Sequence, residues 1–305
     1  MSSETKMASN DDVYTSITKA FHKEPYPSIS PQRPELSHAD KSILVTGGGG
    51  GIGFHIAKAF LQASAATVII VGRRLDFITK AATQLGQDFP KSQVLGLQCD
   101  VASHADVERV WADLKKRGIE VDVLVLNATI VPPPKPLLEL APETLSDNFN
   151  VNVVGNLDMT QHFHKQEGSR AGETKSVVYL STVSAHNFKT AGMMPAYGLT
   201  KNAGTLAMQL IAKDTPREAM QVVSFNPGPV FTPAAESAGV KKGDFDFNDP
   251  DLPGQFAVWA ASREAAFLHG RFVWTEWDVD EMKSGDVRKK IEEDPTYLQV
   301  GIHGV

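Results

Sequence analysis

The sequence predicts one α/β domain built on a single doubly wound parallel sheet of about seven strands, with helices on both faces. Three observations predict it. From Lys41 onward, short β-branched runs alternate with helical patterns, the order in which strand, crossover helix and parallel strand follow one another. Runs such as TVIIV (67–71) and VDVLVL (121–126) are almost continuously apolar, as strands covered on both faces must be. A glycine-rich turn, TGGGGGIG (46–53), stands between the first such run and the first helical pattern.

In chain order, the strand candidates are Ser42–Thr46, Thr67–Val71, Val94–Cys99, Val121–Leu126, Lys175–Leu180, Gln221–Phe225 and Arg271–Trp274. The helix candidates between them are Ile52–Gln62, Leu75–Gln87, His104–Lys116, Pro142–His164, Pro195–Lys213 and Gly254–Phe267. With 305 residues, 42% of them hydrophobic and 22% charged, the chain can bury one large core. Residues 1–40 are polar, carry Pro25, Pro27, Pro31 and Pro34, and lack an apolar period, so they read as an extended or partly disordered arm. Tyr14, Phe21 and Tyr26 are its anchors. Residues 41–277 form the expected catalytic domain, and 278–305 a tail belonging to that domain or to its oligomer interface. The weakly periodic stretch 231–253 suits a lid over a substrate, with Phe188, Met193, Met194, Phe231 and Phe245 giving an apolar pocket.

Composition excludes several classes. A net charge of -6, with no basic run longer than Lys115-Lys116-Arg117, argues against nucleic acid or anionic membrane as partner. The single cysteine, Cys99, leaves no disulfide framework and no thiolate cluster, which favours a reducing compartment, the cytoplasm. No apolar run approaches a membrane span, and no signal-peptide core is seen at the N-terminus. His162-x-His164 and the other histidines show no carboxylate or cysteine companion at ligand spacing, so no metal site is expected. Trp274 and Trp277 read as core or subunit-interface aromatics.

Ligands of open parallel sheets bind at the carboxyl ends of the strands, so the loops after them carry the chemistry. Glycines opening a helix let a pyrophosphate approach backbone N–H groups where the helix dipole favours anions. The register stays open: Gly48, Gly50 and Gly53 fit one spacing, and Gly47, Gly51 and Gly53 another. The second strand ends in Gly72-Arg73-Arg74 where a carboxylate would bind a ribose 2′-hydroxyl, and arginines there suit a 2′-phosphate, hence NADP(H). Tyr197 and Lys201, four residues apart on a helical pattern, share one face. An ammonium beside a phenol favours the phenolate and fits the phenol for acid and base work. LSTVSA (180–185), directly after the fifth strand, offers Ser181, Thr182 and Ser184 as polarising hydroxyls.

Thr46-Gly47-x-x-x-Gly51-x-Gly53, Asn127-Ala128, Asn152, the hydroxyl cluster and Tyr197-x-x-x-Lys201, in this order, resemble the short-chain dehydrogenase/reductase family from about Lys41 through Trp274. FNPGPVFT (225–232) adds the family's Pro227-Gly228 turn, and the arm and the tail FVWTEWDVDE (272–281) resemble a fungal subgroup. The resemblance implies a Rossmann-like fold and an NADPH-dependent interconversion of a ketone and a secondary alcohol. It implies Tyr197 as general acid, Lys201 lowering its pKa and holding the nicotinamide ribose, and Asn152 holding a relay water. Asp100 and Val101 would contact adenine, Ile52 the pyrophosphate, Asn127 the strands beneath the ribose, and Val230 and Thr232 the cofactor. It further implies a homodimer or homotetramer through the helices at Pro142–His164 and Pro195–Lys213, and a specialised-metabolite substrate, while the apolar pocket residues suit a bulky, largely apolar small molecule. Two departures stand out. Thr129 replaces the glycine of Asn-Ala-Gly, and the hydroxyl cluster is displaced. Local pattern points to Thr182, with Ser181 beside it, whereas the usual interval to the tyrosine points to Ser184. A same-fold dehydratase, isomerase or cyclase using Tyr197 as acid, and a non-catalytic NADP-binding protein, are the alternatives.

Overall fold

Strands β1 (Ser42–Thr46), β2 (Thr67–Gly72), β3 (Gln93–Gln98), β4 (Val123–Leu126), β5 (Lys175–Leu180), β6 (Met220–Asn226) and β7 (Arg271–Trp274) form one sheet in the order β3-β2-β1-β4-β5-β6-β7. The computed structural model describes residues 15–166, 174–237 and 240–301. Every pairing is parallel; Ile43, for example, stands between Val68 of β2 and Val123 of β4. The order reverses at β1, so a crevice opens between the loops after β1 and β4, where open sheets of this kind take their ligands.

The strands carry β-branched and leucine side chains on both faces, and both faces are covered. On one side lie α1 (Gly51–Gln62), α2 (Leu75–Asp88) and α9 (Asp251–Ala260), with Phe60, Phe256 and Trp259 fully buried. On the other lie α3 (His104–Lys116), the segment from α4 (Pro142–Phe149) to α5 (Asn156–His164), and α7 (Pro195–Asp214), with Trp111, Phe163 and Tyr179. Removing each such side chain from water contributes about 2–3 kcal/mol, which fixes the helices against the sheet and so fixes the loops at its carboxyl end. The stacked indoles of Trp274 and Trp277, 5.7 Å apart, belong to the first of these cores.

Several elements differ from the sequence expectation. Pro142–His164 is not one regular helix: a π-helical turn, Asn150–Gly155, separates α4 from α5. The Asn152 side chain makes four hydrogen bonds to the β4 loop and α7 there, and widening the helix by one residue aims it that way. The expected helix Gly254–Phe267 begins earlier, at Asp251, and gives way to a 3₁₀ stretch, Arg263–Leu268. Three short helices had no strong periodicity to announce them: α6 (Phe188–Met193), α10 (Val279–Met282) and α11 (Gly285–Glu293). In the expected lid, α8 (Pro233–Ser237) is followed by Phe247 edge-on to both Phe231 and Phe245.

Residues 15–40 lie against the body through short turns, while the anchor expected at Tyr14 lies outside the described residues. Ile29 and Leu36 are fully buried, Phe21 bridges Trp277, the Tyr26 hydroxyl donates to the Trp277 carbonyl, and Arg33 pairs with Glu264. Short 3₁₀ turns at Pro27–Ile29 and Pro34–Leu36, each opened by a proline, place these apolar residues on the body. Among the described residues no helix is long and apolar enough to cross a membrane.

Candidate active site

The glycine turn after β1 resolves the open register. Gly47 and Gly51 have φ of 68° and 53°, in the left-handed region that favours glycine, and a Cβ on Gly53 would lie 2.4 Å from the Gly47 carbonyl oxygen. A Cβ on Gly48 would lie 2.6 Å from Ile70 Cγ2 and one on Gly50 would meet nothing within 4 Å, so the backbone constraints fall on Gly47, Gly51 and Gly53. Asn127, after β4, braces this turn: its Nδ2 donates to the carbonyls of Thr46 (2.8 Å) and Gly47 (3.2 Å). The Thr46 hydroxyl in turn accepts from the N–H groups of Asn127 and Ala128. No side chain caps the start of α1, so the first N–H groups, those of Gly51 and Ile52 among them, keep their affinity for an anion.

Other expected cofactor residues ring the same crevice. Arg73 and Arg74 are exposed at the end of β2, the latter with its guanidinium 3.7 Å from the Phe77 ring centre, and Arg74 is the residue before α2. Asp100 follows β3, its carboxylate accepting from the Ala102 N–H, while Val101 is buried with its carbonyl close against Gly155. After β6, Pro227-Gly228 turns the chain so that Val230 pairs with Asn248 and the Thr232 methyl stands where it would lie 3.3 Å from a Cβ on Gly51. Backbone N–H groups at a helix start, glycines where a Cβ would collide, and two exposed arginines beyond β2 together fit a dinucleotide carrying an extra phosphate.

The side chains expected to be reactive converge at the ends of β4, β5 and the start of α7. Thr182 and Thr129 are the side chains whose hydroxyls act on that of Tyr197. Burial pushes its pKa up to about 12, and those two hydroxyls pull in the opposite direction. Lys201, one turn later, is fully buried with Nζ donating to the Leu180 carbonyl at 2.8 Å. Its Nζ lies 5.9 Å from the Tyr197 ring centre and 5.1 Å from that of Tyr179. Burial pulls the lysine down to about 7. Burial acts on both groups, and the two hydroxyls oppose it at the phenol.

The hydroxyl cluster separates by position. Thr182 faces Tyr197 and also caps the turn Val183–Ala185. Ser181 points the other way, its Oγ 2.6 Å from Thr205 Oγ1 inside α7, and so does not reach the tyrosine. Ser184 is buried in the 3₁₀ turn. Asn152 Oδ1 accepts from the Thr129 hydroxyl (2.9 Å) and the Ile130 N–H (3.0 Å), and its Nδ2 donates to the Ile130 carbonyl and to Thr200. Thr129, noted in the sequence only for its bulk, therefore links Asn152 to Tyr197. Its hydroxyl donates to Asn152 Oδ1 and pulls the Tyr197 pKa down. Thr200 escaped notice because a threonine inside a helix carries no distinctive pattern.

Beside this centre a groove of about 410 Å³ is lined by Pro134, Pro136, Leu137, Leu138, Met193 and Pro195 among others. Met193 belongs to it as expected, but Phe188 does not: it is 92% exposed on the first turn of the short α6. The expectation that the histidines lack carboxylate companions also fails, because Asp158 stands one helical turn before His162, with His104 opposite.

Fold and site together define a doubly wound α/β class with a glycine turn after β1 and a Tyr-x-x-x-Lys helix after β5. The family model described as short chain dehydrogenase matches residues 41–242. The chain is 31% identical over 291 residues to the short chain dehydrogenase/reductase AacuD of Aspergillus aculeatus, covering 93% of this chain and 96% of that one. A short chain dehydrogenase/reductase of Claviceps purpurea is likewise 31% identical over 287 residues, covering 93% and 94%. In fold, the chain is similar to L-sorbose reductase of Gluconobacter frateurii complexed with NADPH and L-sorbose, with a TM-score of 0.70, 23% identity and coverage of 79% and 96%. It is also similar to the RhlG/NADP complex of Pseudomonas aeruginosa, with a TM-score of 0.71, 22% identity and coverage of 79% and 97%. The chain belongs to the short-chain dehydrogenase/reductase family, a family of oxidoreductases, and its sheet is the Rossmann-like sheet of that family.

Proposed function

We propose that the protein is an NADP(H)-dependent oxidoreductase that interconverts a ketone and a secondary alcohol. The observation that carries this reading is the Tyr197 hydroxyl held between Thr182 and Thr129, with Lys201 one turn away at the end of β5. Gly47, Gly51, Ile52 and Gly53 would hold the pyrophosphate, Arg73 and Arg74 the 2′-phosphate, Asp100 and Val101 the adenine. Asn127, Val230 and Thr232 would line the remainder of the dinucleotide, with Lys201 at the nicotinamide ribose. When bound, the nicotinamide coenzyme supplies or accepts the hydride.

The chain's own residues do the rest. Thr182 donates to the substrate oxygen and orients it toward Tyr197. Tyr197 gives that oxygen its proton during reduction and takes it back during oxidation. Thr129, bonded to Asn152, holds the phenol in place and turns its hydroxyl toward the phenolate once the proton has left. Burial raises the cost of the phenolate, so Lys201, when protonated, stabilises it. The apolar groove beside α6 suits a bulky, largely uncharged substrate, in keeping with a specialised metabolite.

Val154, Leu199, Leu206 and Leu210 are each more than two-fifths exposed on the π turn and α7, an apolar stripe that supports a homodimer or homotetramer through these helices. The structures of relatives holding NADPH or NADP support the coenzyme choice.

The reading is tested by product analysis on a ketone panel: reduction must consume NADPH stoichiometrically, whereas dehydratase or isomerase chemistry would leave it unchanged. Tyr197→Phe should lose about 10²–10⁴-fold in turnover while binding NADPH as before, and normal turnover would refute the role. Arg73→Ala with Arg74→Ala should weaken NADPH about tenfold or more, one lost phosphate contact being a charge-assisted bond of about 1.5–3 kcal/mol. NADH affinity should not change, and a parent that binds both coenzymes equally would overturn the assignment.

A further inference from the structure

Away from the tyrosine, α3 and α5 bring three ligand-type side chains together. His104 opens α3, and Asp158 and His162 share one face of α5. One ligand atom from each lies within 4.8 Å of the other two. The carboxylate is gripped from both sides: His104 Nδ1 is 2.8 Å from one Asp158 oxygen, and His162 Nε2 is 3.6 Å from the other. We propose that His104, Asp158 and His162 form a binding site for a divalent first-row transition metal, with Zn²⁺ as the type ion, tying α3 to α5.

The donor set argues for this class of ion. Two imidazole nitrogens and one carboxylate oxygen suit Zn²⁺, Ni²⁺ or Cu²⁺, and leave a coordination position for water. Ca²⁺ and Mg²⁺ require oxygen donors and are disfavoured. Donors about 2.0–2.2 Å from a tetrahedral ion stand roughly 3.3–3.5 Å apart, so the 2.8 Å pair of His104 and Asp158 must open slightly, and His104 is largely exposed and free to swing.

A second observation concerns what stands behind the imidazoles. With Nδ1 of His104 turned to Asp158, its Nε2 lies 3.4 Å from Glu108 Oε1. A carboxylate behind a ligating imidazole fixes its tautomer and raises its basicity. The His162 ring is stacked on Trp111, 6.3 Å between centres and 9° from parallel, which holds its plane. A simple ion pair on Asp158 would need one imidazole; this cluster supplies two, each with its own support.

The position gives the ion a structural consequence. In the first turn of α3, Asp106 accepts from the Asp100 N–H at 2.9 Å, and the carbonyl of Val101 abuts Gly155 in the π turn leading into α5. An ion between α3 and α5 therefore clamps both flanks of the loop after β3.

Zn²⁺ titrated into the full, tag-free, chelator-treated chain at neutral pH should bind one ion per chain by calorimetry and raise Tm, while Mg²⁺ at the same concentration should do neither. His104→Ala and His162→Ala should each weaken Zn²⁺ by roughly tenfold or more; His164→Ala, an exposed histidine on the same helix, should leave it unchanged. On the parent chain, Co²⁺ should give a visible ligand-field absorption band that Zn²⁺ abolishes. Binding that survives both substitutions, or no such band in the parent, overturns the site.

Discussion

Two buried ionisable side chains stand on either side of β6, and they have opposite duties. Lys201, at the end of β5, keeps one hydrogen bond, to the Leu180 carbonyl, and burial pulls it down to about 7. Glu276, just past β7, is fully buried, and burial pushes it up to about 7 although Asn248 donates to its Oε1 at 2.9 Å. Among the described residues its Oε2 has no hydrogen-bond partner. Desolvation drives both toward neutrality. Their neighbours differ: Lys201 faces the Tyr197 ring, whereas Glu276 and Asn248 crowd Gly228, where any Cβ would meet them at about 2 Å. The Glu276 carbonyl also accepts from the His22 N–H, fastening the arm. One buried group stands beside the tyrosine, the other crowds the turn that leads to Val230 and Thr232.

The contrast is open to experiment. The largest effect is expected from Lys201→Met, which should cost about 10²–10⁴-fold in turnover without destabilising the fold. The folded pKa of Lys201 lies below its unfolded value, so between about pH 7 and 10 the unfolded chain binds more protons. Its presence therefore destabilises most at or below neutral pH, and Lys201→Met should raise Tm there and least above pH 10. A large loss of Tm at pH 6 would mean that the lysine is structural.

Next comes the hydroxyl. Thr182→Ala should lower kcat by about 10-fold or more, one charge-assisted hydrogen bond being about 1.5–3 kcal/mol, while Ser184→Ala should change it little. The reverse order would mean that the interval to the tyrosine, not the position beside β5, selects the catalytic group. Ser181→Ala should act on stability alone, by about 1 kcal/mol, through the lost Thr205 bond.

Glu276→Gln should leave turnover within about twofold, as expected of a group that shapes a turn and touches no reacting atom. Its folded pKa is raised, so the folded chain holds a proton that the unfolded chain has lost between about pH 4.5 and 7. The contribution of the group to stability is complete below the unfolded value and is lost as pH rises through about 7. Glu276→Gln should therefore stabilise at pH 8, by at most about 3 kcal/mol, and change nothing near pH 4.5. A loss of kcat with Tm intact would place Glu276 in the chemistry after all.

Most of the sheet was legible because each strand is a β-branched run between polar loops, and periodicity reads such runs directly. Tyr197 and Lys201 were legible for the same local reason, four residues on one helix. Thr129 was visible as a departure, but its bonds to Tyr197 and Asn152 join loops that lie far apart in sequence. Glu276 looked like any acid in a charged tail, because burial is a property of what packs around a residue. In the arm, Phe21 and Tyr26 were legible as anchors, but the arm's partners were not, because Trp277, Glu264 and Glu281 lie more than two hundred residues away.

The sequence by itself determined the strand order along the chain, the glycine turn and the spacing of the reactive pair, all set by local backbone preference and side-chain periodicity. Tertiary structure decided which glycines are constrained, which of three neighbouring hydroxyls faces the tyrosine, and where two buried charges lie. It also brought His104 against Asp158 and His162. These depend on desolvation and on contacts between distant segments, and neither exists until the sheet has closed its two cores.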